Sequence, residues 1–328
     1  MDSRLELYQQ SIWHQGTKSV ALFFILSGYI FFATYGDRIA SGRMSPRQFF
    51  VLRFSRLYPL HAVTLLIVAA LQYLLMRQTG RYFIYDHNTS LYFVANALLI
   101  QFGWFSNEMT FNGPSWSICV EAYLYLCFFF FARRLAANLP ARFVVAGISF
   151  AVMLYGDFST TGPLNPYMCE GLGCFFAGGC LQAMSSLERR INLAIGFALI
   201  GAGAAMLPVL GSRPGLALGI FPGVVLAACS SRTFASASRW RLFAWLGDIS
   251  YSTYLWHFPV QLALVAFAAF VAPVDFSAKL VFWLYVATVM SAGTLSFRFL
   301  ETPARIALRR WAAQPRASRR GAEFLTPS

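Results

Sequence analysis

Apolar runs long enough to enter a bilayer recur through most of the chain, near 18–35, 52–76, 90–104, 115–132, 142–155, 169–184, 191–210, 214–230, 249–272 and 279–299. Hydrocarbon offers no water to backbone N–H and C=O groups, so such runs must close their hydrogen bonds within one segment, which selects helices. The pattern therefore predicts an all-α, polytopic transmembrane bundle of about ten helices. Composition agrees: 58% of the 328 residues are hydrophobic and 12% charged, against about 25% charged in an ordinary soluble domain. No hydrophilic run is long enough for a separate soluble domain. The expected organisation is a short polar lead-in over 1–17, a membrane domain over 18–301, and a basic, disordered cytoplasmic tail over 302–328. The lead-in has neither the basic flank nor the apolar core of a signal peptide.

Charge orients the bundle but gives two votes. Arg133, Arg134 and Arg142, then Arg189 and Arg190, then Arg232, Arg239 and Arg241, then the tail from Arg305, follow alternate spans, as the positive-inside rule asks of cytoplasmic loops. Counting ten crossings places Arg38, Arg43 and Arg47 on the opposite side. Either one segment between 48 and 132 fails to cross, with 90–104 the candidate for a re-entrant piece, or the early arginines serve a site.

The net charge of +13 is spread over short loops rather than gathered on one surface, which argues against nucleic acid as a partner. Most of it needs only cytoplasmic retention and anionic headgroups of the lipid bilayer. Arg53 and Arg56 differ, because they interleave with Phe54, Leu57 and Tyr58 at the start of an apolar helix and share a face at i and i+3. Two planar guanidinium forks on one face suit a phosphate. Pro59 either stiffens that turn or frees backbone carbonyls.

Two further stretches concentrate polar groups. In 111–126, Asn112 to Pro114 reads as a turn, Ser115 as an N-cap, and Glu121 falls inside the next span. An intramembrane carboxylate is either a functional group or a structural partner for an arginine. In 246–260, Gly247 to Ser250 reads as a helix start capped by Asp248 or Ser250, with Tyr251, Tyr254 and His257 on the helix beyond. His61 and His257 lie inside apolar spans, and His87 in a polar loop. The six cysteines show no metal spacing, so a metal site is not expected, and Gly171, Gly173, Gly178 and Gly179 read as close-packing positions for a neighbouring helix.

The order FFILSGYIFF, RFSRLYPLH, FNGPSWSICVEAYLYL, GDISYSTYLWHFPV, FLETPAR, from Ser19 to Arg305, resembles the acyltransferase 3 family of integral membrane O-acyltransferases. The resemblance implies a multi-pass protein of the bacterial inner membrane that moves an acyl group, usually acetyl, from acyl-CoA to a hydroxyl of an envelope sugar or polysaccharide. Acyl-CoA is then a co-substrate, with no cofactor bound. It also implies that Arg53 and Arg56, with Tyr58, engage the donor. Trp116, Ser117 and Tyr254 are the expected substrate-facing donors, Glu121 the group that orients a base or neutralises the arginines, and His14 or His257 the base. Family members normally carry one more helix ahead of the FFILSG-like one, bearing a histidine. Its absence before Met1 leads to the expectation of weak turnover, with a truncated, inactive assembly subunit or a transporter as the alternative functions. A transporter's inverted repeat should leave an internal echo, and none is found.

Overall fold

The protein was analysed as a computed structural model, which describes residues 18–237 and 240–313. Among these residues the chain is a helical bundle without strands. In chain order α1 is Lys18–Ala40, α2 Pro46–Thr79, α3 Ser90–Ala97, α4 Gly113–Leu135, α5 Leu139–Tyr155, α6 Pro166–Met184, α7 Arg189–Leu210, α8 Ser212–Ser230 and α9 Arg241–Phe270. α10 joins Lys279–Ser296, a π-helical turn Phe297–Glu301 and Thr302–Ala313. Seven of these helices are long and apolar enough to cross a membrane. α5 is shorter, and α6, which carries Glu170, is largely buried among its neighbours.

α3 settles the conflict between the charge votes. Its eight residues rise only ~12 Å, too little for a hydrocarbon core of ~30 Å. The chain then runs without regular structure to Asn112, and Leu99 and Phe111 adopt positive φ of 57° and 49°. Irregular backbone at this depth survives where protein side chains satisfy it. Asn88 Oδ1 accepts the Phe111 N–H at 2.6 Å, and Gln101 Nε2 donates to the Ser115 carbonyl at 3.1 Å. With α3 re-entrant, α1, α2 and α4–α10 alternate as nine passes, and every arginine-rich loop falls on one face. Arg47 over the Trp311 ring at 4.9 Å joins the first of these loops to the end of α10. On the opposite, outer face the loop 98–112 is tied to 156–165: Asn107 Nδ2 donates to the Phe158 carbonyl at 2.7 Å, and Asn165 Nδ2 to Asn107 Oδ1 at 2.6 Å.

α2 begins with a capping box, Ser45 accepting from the Gln48 N–H and Gln48 reaching back to the Ser45 N–H, and ends at Gly80 with φ of 74°. Its 34 residues span ~51 Å, so the basic end stands proud of the hydrocarbon and carries Arg53 and Arg56 at interface depth.

Glycines bring α1 and α6 into backbone contact. A Cβ at Gly28 would lie 1.8 Å from the Phe175 carbonyl oxygen, and one at Gly178 would lie 2.0 Å from that of Ile25. Only glycine permits this approach. The core formed there is aromatic, with Phe31, Phe128, Phe175 and Phe176 fully buried.

Three local expectations are corrected. Residues 302–313, assigned to a disordered tail, are helical. Gly247 to Ser250 do not start a helix, because α9 already runs from Arg241; Ser250 Oγ donates to the Gly247 carbonyl within it. Ser115 makes no side-chain cap, since a 3-10 turn Gly113–Ser115 leads into α4.

Candidate active site

The polar residues of α2, α4, α9 and α10 converge between the helices in a column that starts at the basic face. Arg56 is exposed there and lines a cleft of about 130 Å³ with Gly247, Asp248, Tyr251, Phe297, Glu301 and Arg305. The π turn of α10 sets the floor. Glu301, 7% exposed, accepts from Ser252 Oγ at 2.5 Å and from Ser296 Oγ at 3.5 Å. Tyr251 donates to the Leu57 carbonyl at 2.5 Å, which fixes α9 against α2 two residues before Pro59.

Arg53 lies on the same helix but in a different environment. It is buried, bonded to the Tyr35 hydroxyl, with its guanidinium 4.6 Å from the ring centroids of both Phe31 and Tyr35 and 6.0 Å from that of Tyr125. Cation–π contacts in a desolvated box are worth up to ~2 kcal/mol. They hold Arg53 inside the protein, and Arg53 is not among the cleft-lining residues. Tyr125 donates to Glu121 Oε1, so Glu121 is connected to this box through one hydroxyl. Tyr58 turns elsewhere and stacks on half-exposed Phe54 with centroids 4.2 Å apart; it does not line the cleft.

Deeper in the column Ser117 Oγ and Tyr254 OH lie 2.9 Å apart, and each donates to the Pro114 carbonyl or to the other. One turn further, His257 Nδ1 is 2.5 Å from the Tyr254 carbonyl. A carbonyl only accepts, so the proton sits on Nδ1 and a neutral ring offers its lone pair at Nε2. Tyr285 donates to the His257 carbonyl at 3.2 Å. Trp116, expected to face a substrate, instead packs in a buried aromatic group with Phe102 and Tyr167, at 5.3 and 6.2 Å. His14 lies outside the described residues.

Sequence reading missed Asp248, Tyr251, Glu301 and Arg305 as cleft residues. Glu301 and Arg305 stood in FLETPAR, but the tail reading assigned Arg305 to topology. Tyr35 was missed because nothing in the sequence pairs it with Arg53. Among the described residues no cluster of His, Cys, Asp or Glu has metal-binding geometry. The one ion pair, Glu170 with Arg213, joins α6 to α8 away from this column.

Such a bundle, with its polar groups gathered between the helices and a charged cleft on the basic face, is a polytopic membrane protein with an interior site. The family model described as an acyltransferase domain matches residues 6–297, nearly the whole chain, and the protein belongs to the acyltransferase 3 family. It is 27% identical over 331 residues to the peptidoglycan O-acetyltransferase OatA of Listeria monocytogenes, covering 88% of this chain and 51% of that protein. It is 26% identical over 334 residues to the putative peptidoglycan O-acetyltransferase YrhL of Bacillus subtilis, at 88% and 50%. It is 30% identical over 166 residues to the acyltransferase MdmB of Streptomyces mycarofaciens, at 48% and 39%. The chain thus spans about half the length, or less, of these curated relatives. No solved structure matches it.

Proposed function

We propose that the protein is an O-acyltransferase of the bacterial inner membrane that moves an acetyl group from acetyl-CoA to a hydroxyl of an envelope carbohydrate. The observation that carries this reading is the Arg56 cleft on the basic face, where Arg56 and Arg305 flank a recess that opens toward the side the positive-inside rule makes cytoplasmic. The phosphates of a CoA thioester are the natural partners of two guanidinium groups. Arg53 then serves as a positioning residue, holding α2 against α1 and α4 so that Arg56 keeps its aim.

From Asp248 to His257 the column climbs nine residues of α9, ~14 Å, which is the span an acyl thioester arm would cover from the cleft. In the reaction the acceptor oxygen attacks the thioester carbonyl carbon as His257 Nε2 takes its proton. The new C–O bond forms, the C–S bond breaks, and CoA leaves as the thiol with that proton. Ser117 and Tyr254 supply hydroxyl donors for the oxyanion between these events. Glu121 tunes the charge of the arginine box through Tyr125.

The test is transfer of labelled acetyl from acetyl-CoA by the purified full chain, with His257→Ala and His257→Gln beside it. Loss of a positioned base lowers turnover on the order of 10²- to 10⁴-fold, with donor binding retained. Unchanged turnover in both variants removes His257 from the chemistry.

A further inference from the structure

The outer face carries a second cleft, of about 230 Å³, lined by Gln72, Tyr73, Tyr82, Asn88, Phe93 and Phe111 together with Ala69, Thr89 and Ser90. It lies sixteen residues along α2 from Arg56, ~24 Å. None of its lining residues is ionisable as an acid or a base near neutral pH, in contrast to the four charged side chains of the inner cleft.

Behind this cleft lies a fully internal polar network. Asn96 Nδ2 donates to Thr110 Oγ1 at 2.7 Å, Ser115 Oγ to Asn96 Oδ1 at 3.4 Å, and Gln101 Nε2 to Ser115 Oγ at 3.1 Å. The cleft wall and the network are continuous: Asn88 and Phe111 of the wall bond each other, and Thr110 and Asn112 flank Phe111.

Three atoms of this network are buried without a hydrogen-bond partner, and all three are acceptors. Each is held in that role by a backbone carbonyl at the other end of its own side chain. His61 Nε2 lies 2.9 Å from the Asn96 carbonyl, which puts the proton on Nε2 and leaves Nδ1 a lone pair. Gln101 Nε2 donates to the Ser115 carbonyl, leaving Oε1 open. Asn112 Nδ2 donates to the Leu255 carbonyl at 3.3 Å, leaving Oδ1 open. Flipping either amide would set oxygen against oxygen. A buried acceptor left unmade is costly, and here what is missing in every case is a donor.

We infer that the outer cleft, with the locked acceptors His61, Gln101 and Asn112 behind it, is the subsite for an uncharged, hydroxyl-rich saccharide unit. This rests on the O-acyltransferase reading and names the acceptor side of it. Tyr73 and Tyr82 offer rings to the C–H face of a sugar and hydroxyls to its edge, while the acceptors draw sugar hydroxyls inward. The absence of charged lining residues selects a neutral unit over a uronic acid or a phosphorylated one.

The experiment uses the full chain in lipid nanodiscs and measures binding of chitotetraose, cellotetraose and tetragalacturonate by saturation-transfer NMR, with CoA binding measured on the same samples. At least one neutral tetrasaccharide binds more tightly than the anionic one, and Tyr73→Ala combined with Tyr82→Ala weakens it on the order of tenfold with CoA binding unchanged. His61→Phe, which removes the open lone pair, weakens it further. Because His61 also bonds the Asn96 carbonyl, that variant counts only where CoA binding shows an intact fold. Preference for the anionic saccharide, no effect of the tyrosine variants, no neutral saccharide bound by protein that binds CoA, or displacement of the saccharide by added phospholipid each overturns the proposal. Saccharide binding without CoA binding leaves this subsite standing and removes the donor reading instead.

Discussion

The two ends of the polar column are built on opposite electrostatic terms. At the basic face Arg56, Asp248, Glu301 and Arg305 meet in a cleft open to solvent, where charge is cheap to expose and useful for gripping an ionic ligand. At the outer face the polar groups are amides, hydroxyls and a neutral imidazole, buried to between 0 and 8% exposure for Asn88, Asn96, Gln101, Thr110, Asn112 and Ser115. A neutral network can be sunk into a membrane bundle at the cost of hydrogen bonds alone, whereas ions there would each carry a desolvation penalty of several kcal/mol. The contrast teaches that one bundle can present two recognition chemistries by letting depth decide which residue types are tolerated.

The comparison can be broken most forcefully at the packing that holds both ends in register. Gly178→Leu sets a side chain into the Ile25 carbonyl and should prevent assembly of α6 on α1, a larger loss than the ~1–3 kcal/mol of ordinary overpacking. Size-exclusion profiles in detergent would show it, and a monodisperse protein with both ligands bound would refute the packing role. Next in size, Arg56→Ala should abolish CoA binding at unchanged thermal stability, whereas Arg53→Ala should lower the melting temperature first, by loss of its aromatic box. Equal behaviour of the two variants would erase the distinction between a cleft arginine and a buried one.

Topology sharpens the contrast with no loss of function. Single cysteines placed at Asn107 and Ser159, in a Cys229→Ser background, should be labelled by an impermeant maleimide from the same side, and one placed at Arg43 from the other. Labelling of Asn107 and Ser159 from opposite sides would make α3 a crossing and return the arginine loops to conflict. The smallest expected effect is Ser45→Ala, which removes the capping box of α2 and costs ~1 kcal/mol. It should lower stability slightly and shift CoA affinity before saccharide affinity, because the frayed turn is the one nearest Arg56.

Much of this was legible in the sequence, since apolar length and arginine spacing report directly on the membrane. The helices were located within a few residues of their observed centres, and the disagreement between the charge votes correctly singled out 90–104. The glycines of CEGLGCFFAGGCL were read as close-packing positions, and Gly171, Gly178 and Gly179 do face α1. Gly28 was assigned to a helix ahead of α1, yet its space is filled by Phe175 of α6. The site was less legible because its partners come from distant segments. Arg53 and Arg56 look alike at i and i+3, and only the arrival of Tyr35, Phe31 and Tyr125 makes one a buried group. Asp248 and Ser250 resembled caps because a polar pair before an apolar run has the same pattern whether it starts a helix or lines a cleft on one already begun.

The π turn at Phe297–Glu301 carries a genetic consequence. A π turn accommodates one residue more than the α-helix around it, so it behaves as an insertion held in place by its neighbours. Deleting one residue there lets the helix close into regular α geometry and rotates everything downstream by about 100°. Arg305 and Trp311 would swing together away from Arg56 and Arg47, while the membrane-crossing part of α10 stayed as it is. A single-codon deletion in this stretch therefore acts as a phase shift rather than a truncation, and a compensating one-residue insertion between Thr302 and Ala304 would restore the original facing.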